Sequence, residues 1–193
     1  MISQKELFYS YLAQTSPEPM ALEIVKAEGL YLIDQNKKKY LDLISGISVS
    51  NVGHSHPEII NAVKEQAEKY MHLMVFGEYI QTPQTRLAEA LSKLLPDSLN
   101  NVYFVNSGSE AIEGALKLAK RYTGRTDVLS CINAYHGSSH GALSIMGNEE
   151  FKNKFRPLLP NTRLIEYNNL DDLKHITNKT ACIVIEAFQA EAG

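Results

Sequence analysis

The chain predicts an α/β fold: a mostly parallel sheet covered by helices on both faces, preceded by part of a small α+β unit. Three observations carry this. From about Asn101, short apolar runs alternate with stretches of helical periodicity, the pattern of a parallel sheet with crossover helices. Up to about Ser50 the runs are short, strand-like and joined by polar turns. Composition is that of an ordinary globular protein, with 44% hydrophobic and 21% charged residues in 193. The expected division is a small-domain segment at residues 1–50 and the first part of a large domain at residues 51–193.

Within the first part, Leu22 to Ala27 and Gly29 to Asp34 read as strands around a Glu28-Gly29 turn. Asn36-Lys37-Lys38-Lys39 is a polar turn into Tyr40-Leu41-Asp42-Leu43. A loop from Asn51 to His56 then leads into a helix. Ser55 with Glu58 three residues on predicts a capping box, with Pro57 in the first turn. Ile59, Ile60, Val63, Ala67 and Tyr70 follow helical spacing. A second helix is expected from Thr82-Pro83 until Pro96 stops it. Val102 to Val105 is a buried strand by its apolar run, and Ser109 to Tyr122 is a helix ending at Gly124. On that helix Glu113 and Lys117 stand at i,i+4 in the favourable order. Asp127 to Ile132, Thr162 to Glu166 and Ala181 to Ile185 are the further strands, with a Gly/Ser/His loop from Asn133 to Gly141 after the first.

The totals exclude several classes of function. A formal net charge of -3 provides no basic field for nucleic acid or anionic lipid. Cys131 and Cys182 sit in apolar runs and read as buried, reduced thiols. The opening residues lack a basic patch followed by an apolar core, and no apolar run is long enough to span a bilayer, so a cytoplasmic protein is expected.

Four constellations carry chemistry. Asn106-Ser107-Gly108-Ser109-Glu110-Ala111 follows an apolar run and opens a helix. Free amides and the positive end of the helix dipole there form an anion site, Gly108 admits close backbone approach, and Ser107 and Ser109 offer hydroxyls. The bland alternative is a capped helix whose serine closes its own first turn. Neither a Walker A loop nor a Gly-x-Gly-x-x-Gly fingerprint is present. Tyr135-His136-Gly137-Ser138-Ser139-His140-Gly141 follows a strand, which places it at the carboxyl edge of the sheet, where an aromatic can lie against a ring. Its glycines oppose a helix that would align His136 with His140, and no metal is expected. Glu186 to Gly193 follows another strand and brings Glu186 and Glu191. Gly46 to His56 is a glycine-containing loop whose His54 and His56 either line a cleft or bond within the loop.

Together these motifs resemble the class III aminotransferases, pyridoxal-phosphate enzymes of fold type I. The resemblance runs from about Leu22 to Gly193. Tyr31-Leu32-Ile33-Asp34, Tyr40-Leu41-Asp42-Leu43, Ser45-Gly46-Ile47 and Asn51-Val52-Gly53-His54-Ser55-His56-Pro57 look like the family's N-terminal signature. Asn106 to Ala111 resembles its phosphate-binding turn, Tyr135-His136-Gly137 its ring-stacking motif, and Glu186 to Gly193 its Glu-Pro-x-Gln-Gly-Glu-x-Gly run.

The resemblance implies that Ser107, Gly108 and Ser109 hold the phosphate of pyridoxal 5'-phosphate and that Tyr135 covers one face of the ring. His136 would support that loop, Glu186 would sit near the cofactor, and Glu191 near the substrate entrance. It implies amino-group exchange between an amine or amino acid and a 2-oxo acid, in a homodimer whose active sites form between subunits. The same family includes an aminomutase and a decarboxylase, and a non-catalytic fragment of the fold is the remaining alternative. In the family, the aspartate facing the pyridine nitrogen and the Schiff-base lysine both lie later than the last residue here, and none of this chain's lysines stands in the matching context. These residues are therefore expected to be the N-terminal part of a longer enzyme, inactive alone and completed by its C-terminal half. Ser138 stands where ornithine, acetylornithine and 4-aminobutyrate enzymes typically carry an arginine after His-Gly, and a serine cannot make that bidentate, charged contact. Ala187 and Ala190 replace the usual Pro and Gly of the last motif.

Overall fold

A computed structural model describes residues 2–74 and 76–193. They form two compact units, Met1–Gln81 and Thr82–Gly193.

The first unit opens with α1 (Gln4–Tyr11), which the sequence reading missed. Its signal is local: Ser3 Oγ accepts from Glu6 N at 3.2 Å, and the Glu6 carboxylate accepts from Ser3 N at 2.7 Å, a complete capping box. Strands β1 (Ile24–Glu28), β2 (Tyr31–Asp34) and β3 (Lys39–Leu41) form an antiparallel sheet in chain order. Asp34 ties the second hairpin, its Oδ1 accepting from the Asn36 and Lys38 amides and its Oδ2 from the Tyr40 hydroxyl. A one-turn segment, α2 (Ser45–Ser48), winds left-handed, with φ from +52° to +61° at all four residues. Helix α3 (Pro57–Lys69) follows, with Pro57 in its first turn as its sequence predicts.

The predicted capping box at α3 is absent. The N-cap is His56, with no side-chain cap bond. Ser55 has φ +56° and its hydroxyl donates to Ala27 O at 2.7 Å, so a contact 28 residues away overrides the local motif.

The second unit begins with α4 (Thr82–Leu94), within the bounds its Thr-Pro start and Pro96 set. Helix α5 (Gly108–Thr123) is capped by Ser107 at its start and closed by Gly124, whose φ of +66° is the left-handed conformation a glycine adopts without strain. Strands β4 (Asp127–Cys131), β5 (Thr162–Ile165) and β6 (Thr180–Val184) form a parallel sheet in the order β5-β4-β6. Short helices α6 (His140–Ser144) and α7 (Glu149–Lys152) lie between β4 and β5. The Gly/Ser/His loop predicted up to Gly141 thus gives way to helix at His140.

Period-two alternation in β4 assigns its side chains to two clusters. Val128 packs with Leu116 and Ile145, joined by Ile112, Cys182 and Val184. Leu129 and Cys131 pack with Ala134 and Ile165, joined by Tyr167 and Ile183. Burial of these apolar side chains stabilises the unit at about 25 cal/mol per Å2 removed from water.

The predicted strand Val102–Val105 is a second correction. These residues form no strand, and Tyr103 and Phe104 are exposed. An apolar run becomes a strand only when a neighbour accepts its backbone bonds, and no described strand lies beside it. No helix among the described residues is long and apolar enough to cross a membrane.

Candidate active site

Parallel pairing sends the ends of β4, β5 and β6 to one edge of the sheet, and the loops that leave this edge carry the candidate residues. Tyr135 and His136 follow β4, while Glu186 follows β6. The Tyr135 amide donates to Glu186 Oε2 at 3.0 Å across 51 residues, joining the two loops directly. Two further bonds fasten the stretch after β6. Gln189 Nε2 donates to Ile132 O at 2.8 Å, and the Tyr167 hydroxyl donates to Ala187 O at 2.9 Å.

The first turn of α5 meets the same loop. Ser139 N donates to Ser109 Oγ at 3.0 Å, and the Ser109 and Ser139 hydroxyls stand 2.6 Å apart. Gly137 lies so close that an added Cβ would fall 2.6 Å from Ser109 Oγ and 2.9 Å from Ser109 Cα. Its φ of +119° belongs to the region that favours glycine. The glycine therefore permits a direct approach of loop to helix terminus.

Ser107 closes the first turn of α5, its Oγ accepting from Glu110 N at 3.1 Å. That serine thus caps its own helix, while its hydroxyl proton stays available for donation. Glu110 reaches back to Asn106, accepting from its amide at 2.7 Å. Gly108 differs from Gly137: its φ is not positive, and an added Cβ would meet nothing within 4 Å among the described residues. Neither packing nor backbone within the unit requires glycine at 108.

Electrostatics at this edge are uneven. His136 is buried and its Nε2 has no hydrogen-bond partner. Burial lowers the His136 pKa, with Glu186 opposing the shift, so the ring is held toward its neutral form. Burial pushes the Cys131 thiol up, and Glu186 adds to that. Tyr135 is 41% exposed, and its ring stands perpendicular to that of Phe151 with centroids 6.2 Å apart.

Glu113 belongs to this constellation and was missed as a site residue. Its Oε1 accepts from Ser139 Oγ and Gly141 N, each at 2.7 Å, rather than pairing with Lys117. The signal available in sequence was its position four residues after Ser109, which stacks the two on one helix face.

Not every candidate joins. Glu191 is exposed near the last residue, and among the described residues no hydrogen bond ties its side chain to the others. In the first unit, His54 Nε2 lies 2.7 Å from Asp42 Oδ2, while Asp42 Oδ1 accepts the Ile44 and Ser45 amides. His54 therefore bonds within its own loop region.

A turn of free amides, a partly exposed aromatic side chain, a buried histidine with an unmatched nitrogen and a carboxylate thus occupy one sheet edge. The family description Aminotransferase class-III matches residues 11–193. The acetylornithine aminotransferase of Archaeoglobus fulgidus is 40% identical over 171 residues, covering 88% of this chain and 44% of that protein. The [LysW]-aminoadipate semialdehyde/glutamate semialdehyde transaminase of Sulfurisphaera tokodaii is 38% identical over 173 residues, covering 89% and 44%. Among solved structures, adenosylmethionine-8-amino-7-oxononanoate aminotransferase from Methanocaldococcus jannaschii superposes with TM-score 0.82 at 31% identity, covering 93% of this chain and 45% of that one. Ornithine aminotransferase from Toxoplasma gondii, described with partial occupancy of PLP at its active site, superposes at 0.80 with 27% identity, covering 99% and 47%. The chain spans about half the length of these relatives. With its motifs in order and nearly its whole length matched, the chain belongs to the class III aminotransferase family.

Proposed function

We propose that this chain is the N-terminal part of a pyridoxal-phosphate-dependent aminotransferase that moves an amino group from an amine or amino acid to a 2-oxo acid. Residues 1–50 are the N-terminal segment of the small domain and residues 51–193 the first part of the cofactor-binding domain. The observation that carries this reading is the meeting of the α5 amino end, the Tyr135–Gly141 loop and Glu186 at one sheet edge. Gly108 needs no space for its own chain, so its missing Cβ leaves room for a phosphate at the amides. The unmatched Nε2 of buried His136 leaves a polar atom for a partner outside the chain.

Pyridoxal phosphate, when bound, supplies an electron sink at the amine's carbon. The chain's own residues anchor and orient it. The amides of Gly108 and Ser109, with the Ser107 hydroxyl, hold the phosphate by charge-assisted hydrogen bonds, while the Ser109 hydroxyl stays engaged with Ser139. Tyr135 covers one face of the ring, and His136 supports the Tyr135 loop from the buried side. Glu186 fastens that loop through the Tyr135 amide and stays beside the cofactor, and Glu191 stands near the substrate entrance. Ser138 leaves the loop without a guanidinium clamp for a substrate carboxylate. The lysine that carries the cofactor comes from the C-terminal half, two such chains form the working homodimer, and the enzyme is cytoplasmic.

The test is a transamination assay on the full-length protein with pyridoxal phosphate, an amino donor panel and a 2-oxo acid, beside the 193 residues alone. Amino-group transfer by the full-length protein, and none by the 193 residues, is the expected result. Turnover by the 193 residues would remove the claim that they lack an essential part. Failure of the full-length protein to transfer amino groups to any acceptor would remove the assignment of activity.

A further inference from the structure

Glu113 stands one turn beyond Ser109, so both side chains project from the same side of α5. Its Oε1 accepts from Ser139 Oγ at 2.7 Å, Gly141 N at 2.7 Å and Ala142 N at 3.3 Å. An ionised carboxylate only accepts, so the Ser139 hydroxyl proton is directed at Glu113. The Ser109 hydroxyl must then be the donor in its 2.6 Å contact with Ser139 Oγ, while its oxygen accepts the Ser139 amide at 3.0 Å. One carboxylate thereby sets the direction of a hydroxyl chain that ends in the first turn of α5.

Packing closes the same link. A Cβ added at Gly141 would collide with the Glu113 carboxylate, just as one at Gly137 would collide with Ser109. Burial raises the Glu113 pKa, but the hydrogen bonds from Ser139, Gly141 and Ala142, with Lys117 nearby, outweigh it and hold the group below the usual carboxylate range. The acceptor is therefore charged at neutral pH, and charge-assisted bonds are the stronger kind.

We infer that Glu113 is a positioning residue for the cofactor's phosphate. Through Ser139 it holds the Ser109 side chain and the Tyr135–Gly141 loop against the α5 amides. The inference rests on the reading that this turn receives the phosphate of pyridoxal phosphate. A carboxylate that served only to stabilise the fold would affect ligands with and without a phosphate alike. A carboxylate that sets the phosphate site affects only the first kind.

The experiment measures equilibrium affinity of the full-length protein for pyridoxal phosphate and for pyridoxal, by absorbance titration, with thermal unfolding of each apoprotein alongside. The ratio of the two affinities isolates the phosphate contribution. Glu113→Ala is expected to lower that ratio about tenfold, the loss of one hydrogen-bonding network to a charged group. Glu113→Gln keeps the shape and an acceptor oxygen and is expected to recover most of it. Ser139→Ala breaks the link while leaving the Gly141 and Ala142 bonds in place, and is expected to lower the ratio severalfold with a small change in melting temperature. A wild-type ratio retained in Glu113→Ala and Ser139→Ala overturns the positioning role and leaves the cofactor reading standing. If the wild-type protein prefers pyridoxal phosphate no more than pyridoxal, the cofactor reading itself fails and the positioning role with it.

Discussion

Replacing Gly137 by alanine should destabilise the second unit and displace the first turn of α5 in the same stroke. Two terms set the magnitude. The φ of +119° lies where a residue with a Cβ is strained, a cost of roughly 1–2 kcal/mol. The new Cβ would also fall 2.6, 2.8 and 2.9 Å from Ser109 Oγ, Cβ and Cα. Rotating the hydroxyl relieves only the first of these contacts, because Cα moves only with the helix backbone. Overpacking of this kind costs about 1–3 kcal/mol. The two together give about 2–5 kcal/mol. Urea denaturation of the full-length apoprotein, followed by circular dichroism, measures the loss, and the midpoint should fall accordingly. Alanine at Gly108, in open space and at ordinary helical φ, is the internal control. An unfolding free energy for Gly137→Ala within about 0.5 kcal/mol of wild type, the range of an ordinary surface substitution, would refute the packing argument.

Three further outcomes follow from the same geometry. Gly108→Ala should leave apoprotein stability unchanged or raise it by up to about 1 kcal/mol, as alanine does in a helix, while weakening pyridoxal phosphate binding at least about tenfold by filling the space above the amides; calorimetric titration beside thermal unfolding reads both. His136 has a folded pKa below its ordinary 6.5, so the unfolded chain binds the proton more readily. The stability it contributes is complete above about pH 6.5 and is lost as the pH falls toward the folded value; urea midpoints between pH 5 and 8 should show this slope in wild type and a shallower one in His136→Gln. Ser55→Ala removes a long-range bond and should cost about 1 kcal/mol, whereas Glu58→Gln, which closes no capping box, should change stability by less than about 0.5 kcal/mol, both read by urea denaturation.

What the sequence made legible depended on how local the determining physics is. Helices α4 and α5 follow from their own punctuation, the Thr82-Pro83 start and Pro96 stop for one, Ser107 and Gly124 for the other. The strands β4, β5 and β6 are short β-rich runs bounded by turn residues, and each forms within one residue of its expected bounds. The errors lie where a distant partner decides. Ser55 looks like a cap from its neighbours alone, yet Ala27 takes its hydroxyl. Val102 to Val105 has a strand's composition but no described strand to pair with. Glu113 has a lysine at helical spacing, yet donors on the Ser139–Ala142 segment, 26 to 29 residues away, claim its carboxylate. At the site, the loops carrying Tyr135, His136 and Glu186 leave one sheet edge, as alternation of strand and helix anticipates, while Ser109 joins them through Ser139 rather than through a strand of its own. The small-residue requirement at Gly137 and the unmatched nitrogen of His136 are properties of packing in three dimensions, and no spacing in the chain encodes them.

The measurement that bears most directly on the account is a crystal structure of the full-length protein loaded with pyridoxal phosphate. Phosphate oxygens are expected at roughly 2.7–3.2 Å from the Gly108 and Ser109 amide nitrogens, with the ring over Tyr135. A phosphate bound elsewhere, with the first turn of α5 facing only water, would contradict it.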